Sequence, residues 1–208
     1  MGLLLIVILL FLFTGILLSA MGTARHKAKR ITCVCHLKQI GLACRLFEND
    51  HSGLLPAPTS VNNAGGSHES VETPEVFRYF QAMSNQLGTP LILVCPGDWR
   101  RVPSRSFATL ANSNLSYFLN LTALEAGEAI HSYPQEFLSG DSHLRSNRRI
   151  INNVLTVRTN DLVYWTRGNH QGSGNVALTD GGVQQFSTAA LQKAFASSGT
   201  PATRLAIP

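Results

Sequence analysis

The chain has 208 residues and a formal net charge of +5, with 44% hydrophobic and 14% charged residues. This length has room for one anchor segment and one domain of ordinary size, and it excludes a chain of several domains. Although the chain is basic, it lacks the interleaved aromatic residues of single-strand binding proteins, so the composition argues against a nucleic-acid partner.

The first 22 residues predict a membrane anchor. Residues 3–21 are almost wholly apolar and contain no charge and no proline. Their number is close to the ~20 residues that cross a hydrocarbon core of about 30 Å as a helix, and they show no polar stripe. A cleaved secretory signal is the alternative, with residues 22–24 as its cleavage site. Nothing basic precedes the run, however, and it is long for a signal sequence.

Residues 23–50 predict an amphipathic continuation of the same helix. No proline interrupts residues 23–49, and Gly41 is their only glycine. Apolar residues recur at steps of three and four and define one face, formed by Ile31, Val34, Leu37, Ile40 or Gly41, Cys44 and Phe47. We expect one helix from about residue 3 to residue 49, on the order of 70 Å long, that ends at the turn-forming residues 49–53.

Basic residues follow the apolar run directly, at Arg25, Lys27, Lys29 and Arg30. Beside a membrane, such a cluster most simply meets anionic lipid head groups. The positive-inside rule alone would place these residues, and the chain that follows them, in the cytoplasm.

Residues 51–208 predict a domain of short helices and strands. After a loop over residues 54–74, we expect a helix at Pro74–Gln86, a buried strand at Leu91–Val94 and a turn at Cys95–Asp98. Strands are also predicted where apolar and aromatic residues are bounded by turn residues, at Leu115–Leu121, Phe137–Asp141, Asn153–Val157 and Leu162–Trp165.

The C-terminal part predicts a β-hairpin and a last helix. Residues 175–178 and 183–186 would pair around Asp180 and Gly181, because an Asp-Gly dipeptide suits a hairpin turn. Ser187 is expected to cap a helix over Thr188–Ala196. The tail that follows is expected to be extended or loose.

Five segments, in order along the chain, resemble one family of proteins. They are residues 29–43 of the predicted N-terminal helix (hereafter the stem), Cys95–Asp98, Ser116–Phe118, Gly140–Asp141 and residues 170–183. With this pattern the chain resembles type IV pilin-like proteins, and most of all the pseudopilins similar to general secretion pathway protein G that planctomycete and verrucomicrobial bacteria encode. His36 stands where those proteins usually have asparagine.

The resemblance implies a pilin-like α+β fold, in which a long N-terminal helix packs its second half on a small antiparallel sheet. It also implies a non-enzymatic structural subunit of a type II secretion or type IV pilus-like system. The anchor (1–22) would lie in the bacterial inner membrane, the helix would continue over 23–50, and the domain (51–208) would be periplasmic, against the positive-inside rule. The expected partners are the membrane, other pilin-like subunits through the N-terminal helix and, as a further option, a secreted cargo.

The start of the apolar helix departs from that family. Prepilin peptidase cuts such pilins after a glycine that precedes Phe-Thr-Leu-x-Glu, and this motif is not in the sequence. Either the true start lies upstream of Met1 or the chain is not processed in this way. The second case favours an alternative function, a membrane-tethered periplasmic binding or adhesion module that does not polymerise.

The four cysteines are Cys33, Cys35, Cys44 and Cys95. Because positions i and i+2 of a helix point to different sides, Cys33 and Cys35 are not expected to chelate one ion, and no second Cys-x-x-Cys pair exists. Outside the cytoplasm the cysteines can form disulfides. A bond between Cys95 and a stem cysteine is one option, because spacing does not fix the connectivity.

The acidic residues predict turns and not a calcium site. Four of them lie in segments with turn-forming neighbours, namely Asp98, Asp141, Asp161 and Asp180. Calcium takes about six to eight oxygen ligands, and the sequence has no dense cluster of Asp and Asn to supply them.

The sequence also gives little support for catalysis. His170 and Asp180 can be drawn as part of a hydrolytic triad, but no Gly-x-Ser-x-Gly motif accompanies them. Asn114 and Asn120 begin glycosylation sequons that fall in a predicted strand. We therefore predict no catalytic, cofactor-binding or metal-binding residues, no cofactor and no small-molecule substrate.

Overall fold

The computed structural model describes residues 2–53, 55–56, 75–125, 135–198 and 200–208. Most of the predicted loop over residues 54–74, and Pro74 at the start of the predicted helix, lie outside the described residues. The structure combines a long N-terminal helix with antiparallel sheets, so the α+β class predicted from the sequence is confirmed.

Helix α1, Gly2–Asp50, is a single helix of 49 residues, as the periodicity predicted. At a rise of about 1.5 Å per residue it is roughly 70 Å long. Among the described helices it alone is long and apolar enough to cross a membrane, a property that a transmembrane span shares with a signal sequence. The described side chains of residues 2–17 are exposed.

The second half of α1 packs against the domain along one face. The fully buried side chains of this face are those of Cys33, Leu37, Ile40, Ala43 and Cys44. They recur at helical spacing, but the buried face begins two positions after its predicted start. Ile31, which the sequence analysis placed on this face, is 64% exposed, whereas Cys33 is buried.

The described residues of the domain form eight strands and four further α-helices. The strands are β1 (Tyr117–Asn120), β2 (Phe137–Asp141), β3 (Leu144–Ser146), β4 (Val154–Arg158), β5 (Val163–Trp165), β6 (Ser173–Leu178), β7 (Val183–Ser187) and β8 (Ala202–Ala206). The helices are α2 (Phe77–Ala82), α3 (Ser84–Leu87), α4 (Leu121–Glu125) and α5 (Thr188–Ser197). Six strands form an antiparallel sheet in the order β4-β8-β1-β2-β6-β7, and β3 pairs with β5.

Two hydrophobic cores lie on opposite faces of the six-stranded sheet. Because side chains alternate along a strand, Tyr117 and Leu119 of β1 enter the core shared with α1, α2 and α3. Phe118, between them, enters the core shared with α5 and the β3–β5 pair. The domain therefore has three layers, and the amphipathic half of α1 is one of them.

The hairpin and the last helix form as predicted. Strands β6 and β7 pair with Asn175 opposite Gln185, and Gly181 adopts a φ of 84° in the turn, a conformation that favours glycine. The Ser187 side chain accepts a hydrogen bond from the backbone N–H of Ala190 and so caps α5.

Two predicted elements differ in the structure. The helix predicted at Pro74–Gln86 is divided into α2 and α3, with Met83 between them. Residues Pro90–Leu93 form a 3-10 helix and not the strand predicted at Leu91–Val94, because Pro90 suits the first helical position and the Thr89 side chain accepts a hydrogen bond from the Leu91 N–H.

The tail is extended, which is one of its two predicted forms. Its residues form β8, an interior strand of the sheet between β4 and β1.

The close contact between Gly174 and Trp165 yields a test of the packing. A Cβ at residue 174 would lie 2.6 Å from the Trp165 ring, whereas a Cβ at Gly41 in α1 would have no neighbour within 4 Å. We expect Gly174→Ala to lower the free energy of unfolding by about 1–3 kcal/mol through overpacking. Gly41→Ala is the control, and it should raise stability by up to about 1 kcal/mol through helix propensity. Denaturant unfolding of the full-length chain in detergent measures both, and equal effects would contradict the packing.

Candidate functional site

Four buried side chains from distant parts of the chain converge where α1 meets the sheet. They belong to Cys33, Cys95, Asp141 and His170, which are 0–4% exposed. The potential ligand atoms of the four residues all lie within 4.8 Å of one another. We call these four residues the junction cluster.

Each member of the junction cluster is placed by a different element. Cys33 lies on the buried face of α1, one turn before Leu37. Asp141 is the last residue of β2, and its Cα pairs with that of Tyr117 on β1. Cys95 follows the 3-10 helix, at a turn in which the Asp98 N–H donates to the Cys95 carbonyl oxygen over 2.9 Å.

His170 lies in a tight turn just before β6. The two residues after it, Gln171 and Gly172, have φ values of 56° and 80°, which are left-handed conformations. Arg30 of α1 donates to the His170 carbonyl oxygen over 2.9 Å and to the Ser173 hydroxyl over 3.0 Å. The stem helix therefore fixes the turn that carries His170.

The contacts within the junction cluster are short. The Cys33 thiol donates to Oδ1 of Asp141 over 3.1 Å. Nε2 of His170 lies 3.3 Å from the Cys95 sulfur and 3.5 Å from Oδ2 of Asp141. One carboxylate and one imidazole thus link the two cysteines.

A second ring of polar groups surrounds these contacts. Asn175 donates to Oδ2 of Asp141 from its backbone N–H over 2.7 Å and from its side-chain amide over 3.2 Å. The Tyr117 hydroxyl lies 3.2 Å from the Cys33 sulfur, and the Gly97 N–H donates to the Cys95 sulfur over 3.3 Å. A Cβ at residue 97 would lie 3.4 Å from Cε1 of His170, so the chain approaches the cluster closely there.

The groups of the cluster shift one another's pKa values in different directions. The neighbouring Cys33 thiol lowers the pKa of Cys95 to about 6, with further help from His170 and against the effect of burial. Burial by itself lowers the pKa of His170, but hydrogen bonds to Asp141 and Cys95 outweigh it and raise the pKa to about 9. Burial raises the pKa of Cys33 far above that of an ordinary thiol. These shifts favour a thiolate at Cys95 over one at Cys33.

Cys95, His170 and Asp141 do not have the geometry of a hydrolytic triad. In a triad the acid binds one imidazole nitrogen and the nucleophile binds the other, whereas here Nε2 of His170 lies closest to both partners. The residues are also almost fully buried, so a substrate would not reach the sulfur. The pairing of His170 with Asp180, which the sequence analysis considered and rejected, does not occur, since Asp180 is exposed and accepts from the Gly182 N–H within the hairpin turn.

The four cysteines have different environments. All of them carry free thiols; Cys35 is exposed, while Cys33, Cys44 and Cys95 are buried. Cys33 and Cys35 point to different sides of α1, as the helical geometry predicted. The Cys44 thiol donates to the Met83 sulfur over 3.5 Å and lies outside the junction cluster. Cys33 is the stem cysteine that faces Cys95.

The other predicted turn residues make local contacts. Oδ2 of Asp98 accepts from the Ser116 hydroxyl over 3.2 Å, and Asp161 accepts from Arg148 over 2.7 Å. Asp141 differs from them, because it is fully buried at the end of a strand. The sequons begin at Asn114, in a 3-10 helix, and at Asn120, which is buried in β1.

The sequence analysis considered a bond between Cys95 and a stem cysteine, but it missed the junction cluster because local spacing gave no signal that would bring Asp141 and His170 to them. Cys33 and Asp141 are 108 residues apart, and Cys95 and His170 are 75 apart. The sequence did contain one signal that could have pointed to the cluster. Four of the five family-like segments each contribute one member: residues 29–43, Cys95–Asp98, Gly140–Asp141 and residues 170–183.

No protein-family model, no curated protein and no solved structure matches the chain. The candidate site is therefore argued from its own geometry.

His36, at the edge of the cluster, gives a pH-dependent prediction. Its Nδ1 lies 3.2 Å from the Val94 carbonyl oxygen and 3.4 Å from the Tyr117 hydroxyl. Burial lowers the pKa of His36, although the Val94 carbonyl acts in the opposite direction. Because the unfolded chain then binds a proton more readily than the folded one, stability falls as the pH drops below about 6.5.

The variant His36→Asn removes this titration and keeps an amide donor near the position of Nδ1. We expect the melting temperature of the variant to fall less than that of the original chain between about pH 7 and pH 5.5. Thermal unfolding of both full-length proteins in the same detergent measures the difference. Identical pH profiles would show that folding does not suppress protonation of His36.

Proposed function

We propose that the chain is a non-enzymatic, pseudopilin-like structural subunit of a type II secretion or type IV pilus-like system. In this proposal α1 anchors the protein in the inner membrane and the domain lies in the periplasm. The observation that carries the proposal is that α1 is one uninterrupted helix whose two halves have different surroundings.

Among the described residues, the first half of α1 has no neighbour that buries it. Its large apolar side chains, from Leu3 to Leu17, are 48–81% exposed. An apolar surface of this extent is costly in water and is typical of a segment that contacts lipid or other helices. This surface supports both an anchor in the membrane and packing between stem helices.

Two arginines in the second half of α1 bond to the two ends of β6. Arg30 holds the turn before β6, and Arg45 donates to the Thr179 carbonyl oxygen over 2.5 Å at the far end of the same strand. The C-terminal hairpin is thus fastened to the stem at both ends of β6. A subunit that assembles through its stem requires this kind of attachment, because the helix must position the domain.

The alternative function is a membrane-tethered binding or adhesion module that does not polymerise. One observation favours it. The first acidic residue of the sequence is Glu48, so the apolar half of α1 has no carboxylate to pair with the N-terminus of a neighbouring subunit. The two functions share the anchor and differ in whether the stems pack together.

Cys35 provides a test of topology, because it is the exposed cysteine of the stem. We expect a membrane-impermeant maleimide to label Cys35 in intact spheroplasts of a bacterial host that expresses the full chain. Cys35→Ser should abolish the labelling. Labelling that requires lysis of the spheroplasts would place the domain in the cytoplasm and contradict the proposed topology.

Assembly is tested by oxidative crosslinking within the apolar half of α1. In the Cys35→Ser background, single cysteines are placed at Leu9, Leu10, Phe11 and Leu12, which cover one helical turn. If stems pack together, we expect disulfide-linked dimers in membranes at one or two of these positions, on one face of the helix. Dilution into detergent with excess Cys35→Ser chain before oxidation is the control, and it should abolish the dimers. Monomers at all four positions would contradict stem packing and favour the tethered module.

A further inference from the structure

We propose that Cys33, Cys95, Asp141 and His170 bind one zinc-class divalent metal ion in a closed, four-coordinate site that joins the stem helix to the sheet. This inference does not rest on the proposed function, because it concerns only the buried junction between α1 and the domain.

The geometry of the junction cluster fits a tetrahedral site. Zinc binds thiolate sulfur at about 2.3 Å and imidazole nitrogen or carboxylate oxygen at about 2.0–2.2 Å, which corresponds to ligand–ligand distances of roughly 3.3–3.8 Å. Three of the six ligand pairs have contacts of 3.1, 3.3 and 3.5 Å, in which Oδ1 of Asp141 faces Cys33 and Oδ2 faces His170. All of the ligand atoms lie within 4.8 Å of one another, so a small adjustment brings the set to the metal-bound spacing.

The ligand types also fit. Two sulfurs, one imidazole and one carboxylate are ligands that zinc accepts, whereas calcium and magnesium prefer sites made of oxygen. Four protein ligands leave no open position, and the residues are almost fully buried. These features are typical of a structural site and not of a catalytic one.

The surrounding groups can orient the ligands. Asn175 fixes Oδ2 of Asp141, the Gly97 N–H bonds the Cys95 sulfur, and the Tyr117 hydroxyl can donate to the Cys33 sulfur once it is a thiolate. The ion binds Cys33 and Cys95 as thiolates and His170 as a neutral imidazole, so protons on these ligand atoms pass to solvent when it binds. The positive charge of the metal replaces those protons among the buried ligands.

A disulfide between Cys33 and Cys95 is the competing use of the two sulfurs. It would involve only two of the four side chains. It would also remove the thiol proton that Cys33 donates to Asp141, and with it one hydrogen bond to a buried carboxylate. A metal ion keeps all four groups partnered, so the structure favours the metal.

The test uses the full-length chain purified in detergent without chelator or reductant. We expect elemental analysis to find one zinc ion per chain. After chelation under reducing conditions, added Co²⁺ should produce thiolate-to-metal charge-transfer absorption and the visible bands of a tetrahedral site. Zinc should also raise the melting temperature of the stripped protein.

Variants of individual residues test which side chains bind the metal. Asp141→Asn and Cys95→Ser should lose the zinc and the Co²⁺ spectrum, whereas Cys35→Ser and Cys44→Ser, which change thiols outside the cluster, should keep both. If the first two variants fail to fold, Asn175→Ala tests the site with all four ligands in place, and its zinc affinity should fall about 10–100-fold.

Three results would overturn the proposal. They are a Cys33–Cys95 disulfide in the isolated protein, a reduced original chain that gives no thiolate spectrum with Co²⁺, and metal that all variants retain equally. None of these results would bear on the topology or the packing of the stem, which the labelling and crosslinking experiments measure.

Discussion

Asp141 connects three separate parts of the molecule. Its two oxygens contact the Cys33 thiol of the stem, the His170 ring in the turn before β6, and both the backbone and side-chain amides of Asn175 within β6. A fully buried carboxylate is costly unless each lone pair has a partner. The position of α1 on the sheet is therefore constrained by polar contacts as well as by apolar packing. A helix that slid by one turn would leave Asp141 without its thiol donor.

A single helix has to satisfy two different surroundings. The first half of α1 is apolar all round and contacts no other described element, whereas the second half contributes Leu37, Ile40 and Cys44 to the core on one face of the sheet. Removal of the second half would expose Tyr117, Leu119 and Ala177, which form the same core. The stem is thus part of the domain and not a linker that leads to it. One continuous helix joins the apolar half to Cys33 of the junction cluster.

The elements that the sequence predicted are those whose signals are local. The periodicity of residues 31–47 identified the stem, and Asp180-Gly181 identified the hairpin, because each pattern is complete within about 20 residues. The four-residue apolar run Leu91–Val94 was wrong as a strand, since such a run does not distinguish strand from helix and the capping contact of Thr89 decided it. Strand β8 was missed because its partners, β4 and β1, lie more than 40 residues earlier in the chain. The junction cluster was missed for the same reason: its members meet only when α1, β2 and the turn before β6 are assembled.

The junction also bears on how the basic residues of the stem are interpreted. The positive-inside rule counts the four basic residues between Arg25 and Arg30 as evidence for a cytoplasmic location. Arg30, however, is partly buried and donates to the His170 carbonyl and the Ser173 hydroxyl. Its charge has a structural role in the domain, so it is not simply a residue that meets lipid head groups, as the sequence analysis had assumed. The positive-inside rule is based on the number of lysine and arginine residues in short loops, whereas long domains are translocated largely regardless of their charge. Because one of the four basic residues is engaged in docking and a long domain follows them, their number is a weak argument for a cytoplasmic domain. The exposed Cys35, five residues along the same helix, reports the orientation directly.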